Sequence, residues 1–339
     1  MTCLLGTILS ILVTLLPSLF AIAILWWLDR YEKEPLWLAT IVFLWGAVPT
    51  ILLSLIAQII LDFPLAAVFG PSILYEAAGA SIIAPITEET FKGLIILAIF
   101  LVYRREFDGV MDGIFYGALV GFGFSVVEDV LYFMGSFAEG GWASWGLTVA
   151  LRVGLFNLNH SLFAACTGIG FGLARNTRQT WLKFLYPVLG LGMAMFLHGF
   201  HNGATVLAEM TAGLSCVLGT IVDWMGVLGV LILIIVATKR ESRWFSELDE
   251  EIAAGIVTAD EAQLAAQPRT RFSRGWQVLT QHGPGTWFRW SRYVQMIVDL
   301  AYKKHQKTAA AEGPKAEERI VALRQRIAET RAKLPQVGA

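Results

Sequence analysis

Residues 86–93 read ITEETFKG, from Ile86 to Gly93, and stand between SIIAP and LIILAIFLV. Two carboxylates and an ammonium thus interrupt one of the most apolar regions of the chain. The flanks are what a bilayer-spanning helix requires, because a hydrocarbon core of about 30 Å takes roughly 20 apolar residues. The rest of the sequence agrees. Of 339 residues, 56% are hydrophobic and 16% charged, and the mean hydropathy is +0.60, a balance foreign to soluble globular domains. The expected fold is all-α: a polytopic transmembrane helix bundle of about seven to eight spans with a cytoplasmic helical tail.

Seven apolar stretches stand near 4–27, 36–61, 74–103, 110–135, 146–174, 182–206 and 216–238. The net charge of −1 conceals a division near Lys239. Residues 1–238 carry 9 Lys/Arg against 15 Asp/Glu, whereas residues 239–339 carry 17 against 12. This divides the chain into a membrane domain, 1–238, and a partly helical cytoplasmic tail, 239–339. Arg30, Lys33, Arg104, Arg105, Arg175, Arg178 and Lys183 fall in alternate connections, while 62–73, 136–145 and 207–215 hold no Lys or Arg. The positive-inside rule then sets the N-terminus outside and the tail in the cytoplasm. The first apolar run lacks a basic n-region and exceeds a signal-peptide core, so it reads as a retained span. Cys3, Cys166 and Cys216 lack any CxxC spacing and read as packing residues. In the tail, EERIVALRQRIAETRAKL is amphipathic. WFRWSRYVQMIVDLAYKKHQK mixes aromatic and basic residues and suits either an anionic leaflet or a packed helix. Acidic residues interspersed with basic ones give nucleic-acid binding no support.

An ionisable side chain at membrane depth costs about 2.5–3.5 kcal/mol on insertion scales, so a group of them needs partners or a task. Span three holds Glu88, Glu89 and Lys92; span four holds Glu128 and Asp129; span five holds Arg152, Asn157, Asn159 and His160; span six holds His198, His201 and Asn202. Counting from the cytoplasmic ends at 1.5 Å per residue sets Glu88, Glu128, His160 and His198 at a common depth of about 21–24 Å. One water-accessible site in the outer half of the membrane, lined by spans three to six, accounts for that level. Glu88 and Lys92, at i,i+4, are expected to pair, and Arg152 with Asp129; mutual neutralisation inside a bundle explains such pairs but not the histidines.

Water attacking a carbonyl suits this set. A buried carboxylate beside a second acid holds protons more tightly and can take one from water. His198 and Asn202, one turn apart, suit donation to an oxyanion. Alternatively, Glu88, Glu128, His160 and His198 could hold a zinc ion assembled across helices, since HExxH is absent. The preferred reading needs no cofactor.

Glu88, Glu89 and Lys92 in EETFK, Phe124 and Glu128 in FSVVE, then His160, and His198 and Asn202 in HGFHN together resemble the EExxK, FxxxE and later histidine motifs of the PrsW family of intramembrane proteases. DRYEKEPL after the first span, FDGVMDGIFYGALVGFGFS and Arg152 are similar too, and the likeness covers roughly 25–205. It implies an endopeptidase related to the CAAX prenyl proteases, with Glu88 as base and Glu89 as its partner. Glu128 would orient water where the prenyl proteases carry a histidine, His160 would position substrate or water, and His198 with Asn202 would stabilise the tetrahedral intermediate. Lys92, Asp129, Arg152 and His201 would support them. Asn202 matches the prenyl-protease form HxxxN, whereas an acidic residue is found in some PrsW members. The family has also been classed with metallopeptidases.

The expected activity is cleavage of a membrane-protein substrate, single-pass by preference, toward the outer side of the bilayer. A prenyl peptidase fits less well, because its substrate end is cytoplasmic. The rival from another class is a proton-coupled transporter using the same Glu and His residues. Confinement of the polar groups to spans three to six, without an inverted repeat, weighs against it.

Overall fold

The computed structural model describes residues 2–29, 34–104, 106–310, 314–332 and 334. Among them the chain is helical with no strand. It forms two compact units, Met1–Leu28 with Glu34–Ile234, and a second that takes up Ile235–Ala339.

In the first unit, α1 is Thr2–Leu28, α2 Leu36–Trp45 and α3 Ile51–Phe69, the last two joined by a π-helical turn at Gly46–Thr50. A second π-helical turn, Gly79–Ile83, links the short α4, Ile73–Ala78, to α5, Ala84–Val102. Pro85 lies in the first turn of α5, where its missing N–H costs no hydrogen bond. Then follow α6, Val110–Gly154, α7, Asn159–Asn176, α8, Thr180–Val206, and α9, Leu214–Glu241.

Several boundaries differ from the apolar pattern. Residues 62–73, expected as a connection, are helical as far as Phe69, where Gly70 at φ 58° ends α3. Residues 136–145 continue α6, with a kink at Gly141. The fifth stretch, 146–174, is broken between Gly154 and Asn159, so Arg152 and His160 belong to different helices. Polarity predicts turns where chain direction changes, and here one change lies inside α6 at Gly141 and another directly after α3 at Gly70.

Five stretches of the described residues are long and apolar enough to cross a membrane: Leu4–Leu28, Leu36–Phe69, Val110–Asn176, Thr180–Val206 and Leu214–Ala253. The third runs for 67 residues, far beyond one crossing. Large apolar side chains such as Phe63, Ile59 and Phe20 are exposed, as in an integral membrane protein whose outer faces meet lipid.

Small residues set the core. Gly113, Gly117 and Gly121 form one stripe on α6, and a Cβ at each would lie 2.1–2.5 Å from the backbone oxygen of Gly168, Ala164 or His160 on α7. Gly123, on another face, would meet the Phe43 carbonyl at 2.0 Å. Such spacing lets helix backbones approach closely in a bilayer, where apolar burial alone does not favour association. The sequence GALVGFGFS thereby brings α6 against α7 on one side and α2 on the other.

The second unit contains α10, Asp249–Ala253, α11, Ala259–Ala266, α12, Pro268–Ala310, and α13, Pro314–Arg331. The polar stretch AAQPRTRFSRG is largely the start of α12. Leu248, Val257, Val278, Ile297, Leu300, Ile320 and Ile327 form its apolar core. Buried Glu251 accepts from Lys304 at 2.7 Å and from Arg324.

Candidate active site

The two glutamates of α5 are both buried, and they differ in their partners. Lys92 Nζ lies 2.8 Å from Glu89 Oε1 and 3.7 Å from Glu88 Oε2. The expected Glu88–Lys92 pair is present, and Lys92 makes a closer i,i+3 pair with Glu89. Glu89 also meets His198 of α8, Nδ1 to Oε1 at 2.9 Å, so it fixes an ammonium and an imidazole at once. Glu88 keeps a freer carboxylate: Gln58 Nε2 of α3 donates to Oε1 at 3.2 Å, and Oε2 has no hydrogen bond among the described residues.

His160, at the start of α7, is held from both sides. Its Nδ1 is 3.1 Å from Lys92 Nζ and its Nε2 is 2.8 Å from Glu128 Oε2. An ammonium only donates, so Nδ1 accepts and Nε2 carries the proton toward Glu128. Glu128 is bound in turn by Arg152, which also holds Asp129; Thr14 of α1 adds a 3.1 Å bond to Asp129. The sequence pairing of Arg152 with Asp129 is present, but the guanidinium serves both acids. Phe163 stacks on His198 at 5.0 Å between centroids, and Lys92 Nζ sits 3.8 Å above the Phe124 ring. Both contacts restrict the polar groups to one arrangement.

Four helices thus bring Glu88, Glu89, Glu128, Lys92, His160 and His198 together. Two other candidates point elsewhere. The Asn202 amide donates to the Ala80 carbonyl at 2.9 Å. That carbonyl belongs to the π-helical turn before α5, so Asn202 anchors the turn to α8 instead of sharing a spot with His198. His201 Nδ1 pairs with Asp223 Oδ2 at 2.7 Å, and Asn159 donates to the same oxygen at 2.9 Å. This second cluster joins α7, α8 and α9. Asn157, also named among the buried polar residues, has its Oδ1 3.4 Å from Ser18 Oγ of α1.

Asp223 and Gln58 were missed. Asp223, a solitary acid in the apolar run GTIVDWMGVLG, was detectable by the same cost argument that marks Glu88. Its position in α9 shows that the polar groups extend beyond the third to sixth stretches. Gln58 carries no charge, and only its place beside Glu88 distinguishes it.

Ligand atoms of Glu88, His160 and His198 lie within 4.8 Å of one another. One carboxylate and two imidazoles suit zinc, which keeps an open position in catalytic sites, and His160 would offer Nδ1 to it once Lys92 Nζ is displaced from that nitrogen. His198 fits that use well, since Glu89 orients Nδ1 and leaves Nε2 3.8 Å from Glu88 Oε2, the outer-shell arrangement metal-binding histidines commonly have. Glu128, expected as a further ligand, stands behind His160 as its hydrogen-bond partner.

A family model described as PrsW family intramembrane metalloprotease matches residues 34–244. The chain is 30% identical over 187 residues to Protease PrsW of Geobacillus kaustophilus (strain HTA426), covering 53% of this chain and 72% of that protein. Protease PrsW of Oceanobacillus iheyensis (strain DSM 14371) is 27% identical over 193 residues, 55% of this chain and 78% of its own length. Protease PrsW of Clostridioides difficile (strain 630) is 25% identical over 208 residues, or 58% and 79%. No solved structure matches. The match spans the helices that carry every member of the buried glutamate–histidine cluster, and the chain belongs to the PrsW family of intramembrane proteases.

Proposed function

We propose that this protease hydrolyses a peptide bond of a single-pass membrane protein near the outer side of the bilayer, with its N-terminus outside and its tail in the cytoplasm. The observation that carries the reading is the convergence of Glu88, His160 and His198 from three helices, with Glu88 Oε2 buried beside them and free of any described hydrogen bond. Glu88 takes the proton of the attacking water. Glu89 holds His198 so that its Nε2 faces the Glu88 carboxylate, receives the proton that Glu88 took from water and passes it to the departing amine. Lys92 places a desolvated positive charge beside the carboxylates, where it offsets charge developing on the scissile carbonyl. Glu128 keeps His160 in one tautomer, and Arg152 keeps Glu128 in place.

Glu88, His160 and His198 would also be the residues that hold zinc. Bound there, the metal would polarise the carbonyl and make water acidic enough to attack near neutral pH. The test is metal content of the purified protein, with cleavage of a membrane-protein substrate measured before and after chelation and re-addition. One zinc per chain, lost together with activity in Glu88→Gln and His198→Gln, assigns these residues as ligands. Activity that persists after complete chelation assigns Glu88 as a base acting directly on water. Cleavage retained by well-expressed Glu88→Ala would overturn the proposal.

The transporter alternative has no support from the family, which is one of proteases, and buried Asp223 of α9 shows that the polar groups are not confined to the third to sixth stretches.

A further inference from the structure

The tail holds a second feature that the protease chemistry does not use. Between Glu261 and Asp299 the chain has no acidic residue and five arginines: Arg269, Arg271, Arg274, Arg289 and Arg292. The segment is folded as a helical hairpin, because α12 reverses at Gly283, whose φ of 77° lies in the left-handed region. Its arms close at Gly275, where a Cβ would come within 3.1 Å of the Trp290 ring.

One side of the hairpin is spent on the core of the tail unit through Val278, Trp290, Tyr293 and Ile297. The other side leaves Phe272 68%, Trp276 60% and Phe288 57% exposed, with Arg269, Arg289 and Arg292 exposed beside them. Solvent alone disfavours so many bare aromatic rings. Aromatic rings at headgroup depth, flanked by arginines whose stems lie along the apolar boundary, are the composition of an interfacial element.

We propose that the hairpin 268–292 rests on an anionic lipid surface, with its aromatic side chains at the headgroup boundary and its arginines on lipid phosphates. The occupant is a lipid surface because the charge of the patch is of one sign, its rings lie among the charges instead of forming a dry patch, and the protein is already in a membrane. The proposal is independent of the peptidase reading.

The test uses the full chain with Ser273→Cys as the single cysteine, the three native cysteines replaced by serine, carrying an environment-sensitive dye. The protein is placed in nanodiscs of phosphatidylcholine with or without phosphatidylglycerol. Shielding of the dye from aqueous iodide is expected only with phosphatidylglycerol, falling with added salt and by about five-fold in membrane partition for each of Arg269→Gln, Arg289→Gln and Arg292→Gln. The corresponding Arg→Lys variants should retain it, which separates charge from folding. Equal shielding in both discs, loss in the Lys variants, or shielding in detergent that rises with protein concentration, as a second copy on the patch would give, each overturns the proposal.

Discussion

Glu88 and Glu89 are adjacent and chemically identical, and their surroundings divide the work. Glu89 has one oxygen held by both Lys92 and His198, whereas Glu88 has one oxygen on the neutral amide of Gln58; the second oxygen of each is free of hydrogen bonds among the described residues. A carboxylate held at close range by an ammonium and an imidazole is a poor base, and one whose only hydrogen bond comes from a neutral amide accepts a proton more readily. Gln58 also lines a cavity with Ile59, Asp62, Leu65, Gly79 and Ile83, so the amide stands between Glu88 and an opening to the helix surface. Gln58→Leu keeps the volume and removes a donor to a carboxylate, an interaction of about 1.5–3 kcal/mol. Turnover of a peptide reporter should fall about ten-fold or more, with thermal stability little changed. Unaltered turnover would show that the amide only packs.

The contact between α6 and α7 positions Glu128 against His160. Gly121 lies where a Cβ would be 2.3 Å from the His160 carbonyl, and Glu128 follows it by seven residues, two turns along α6. Widening the contact at Gly121 therefore moves the acid away from the imidazole it holds at 2.8 Å. Gly121→Val should abolish cleavage, since a displacement of about 1 Å can cost a hundred-fold in rate, and should lower the thermal midpoint. Gly192→Ala, where a Cβ meets nothing within 4 Å, should be silent in both measurements. The π-helical turn at Gly79–Ile83 is a comparable case, tied by Asn202 to α8 just ahead of the glutamates.

For the membrane unit as a whole, the proposed orientation predicts that a reporter fused after Arg331 is active only in the cytoplasm, and one inserted near Glu209 only outside. The opposite pattern would reverse the side assigned to cleavage. The tail unit has its own electrostatic anchor. Burial opposes the charge of Glu251, but hydrogen bonds from Lys304 and Arg324 outweigh it and hold the group below its ordinary value of 4.5. A depressed carboxylate stabilises the fold above the unfolded value, and that contribution is lost as pH falls through the folded value. Amide protection of residues 249–302 should therefore weaken as pH drops below 4.5, while Glu251→Gln should weaken it at neutral pH and flatten the acid dependence.

Hydropathy alone marked the helical membrane protein, because hydrocarbon admits few ways of satisfying a backbone, and the cost of charge in lipid marked Glu88, Glu128, His160 and His198 without any coordinates. The motif order carried the family. Partnership was not legible: Lys92 could have turned to either glutamate, Asn202 could have faced the histidines, and nothing in a linear reading distinguishes Gln58 from any other amide. Side-chain direction depends on helix rotation, which close backbone packing at Gly113, Gly117, Gly121 and Gly123 sets, and on the changes of chain direction at Gly70 and Gly141. The residue types were thus readable from local cost, while their assignment to one another follows from contacts between helices far apart in the chain.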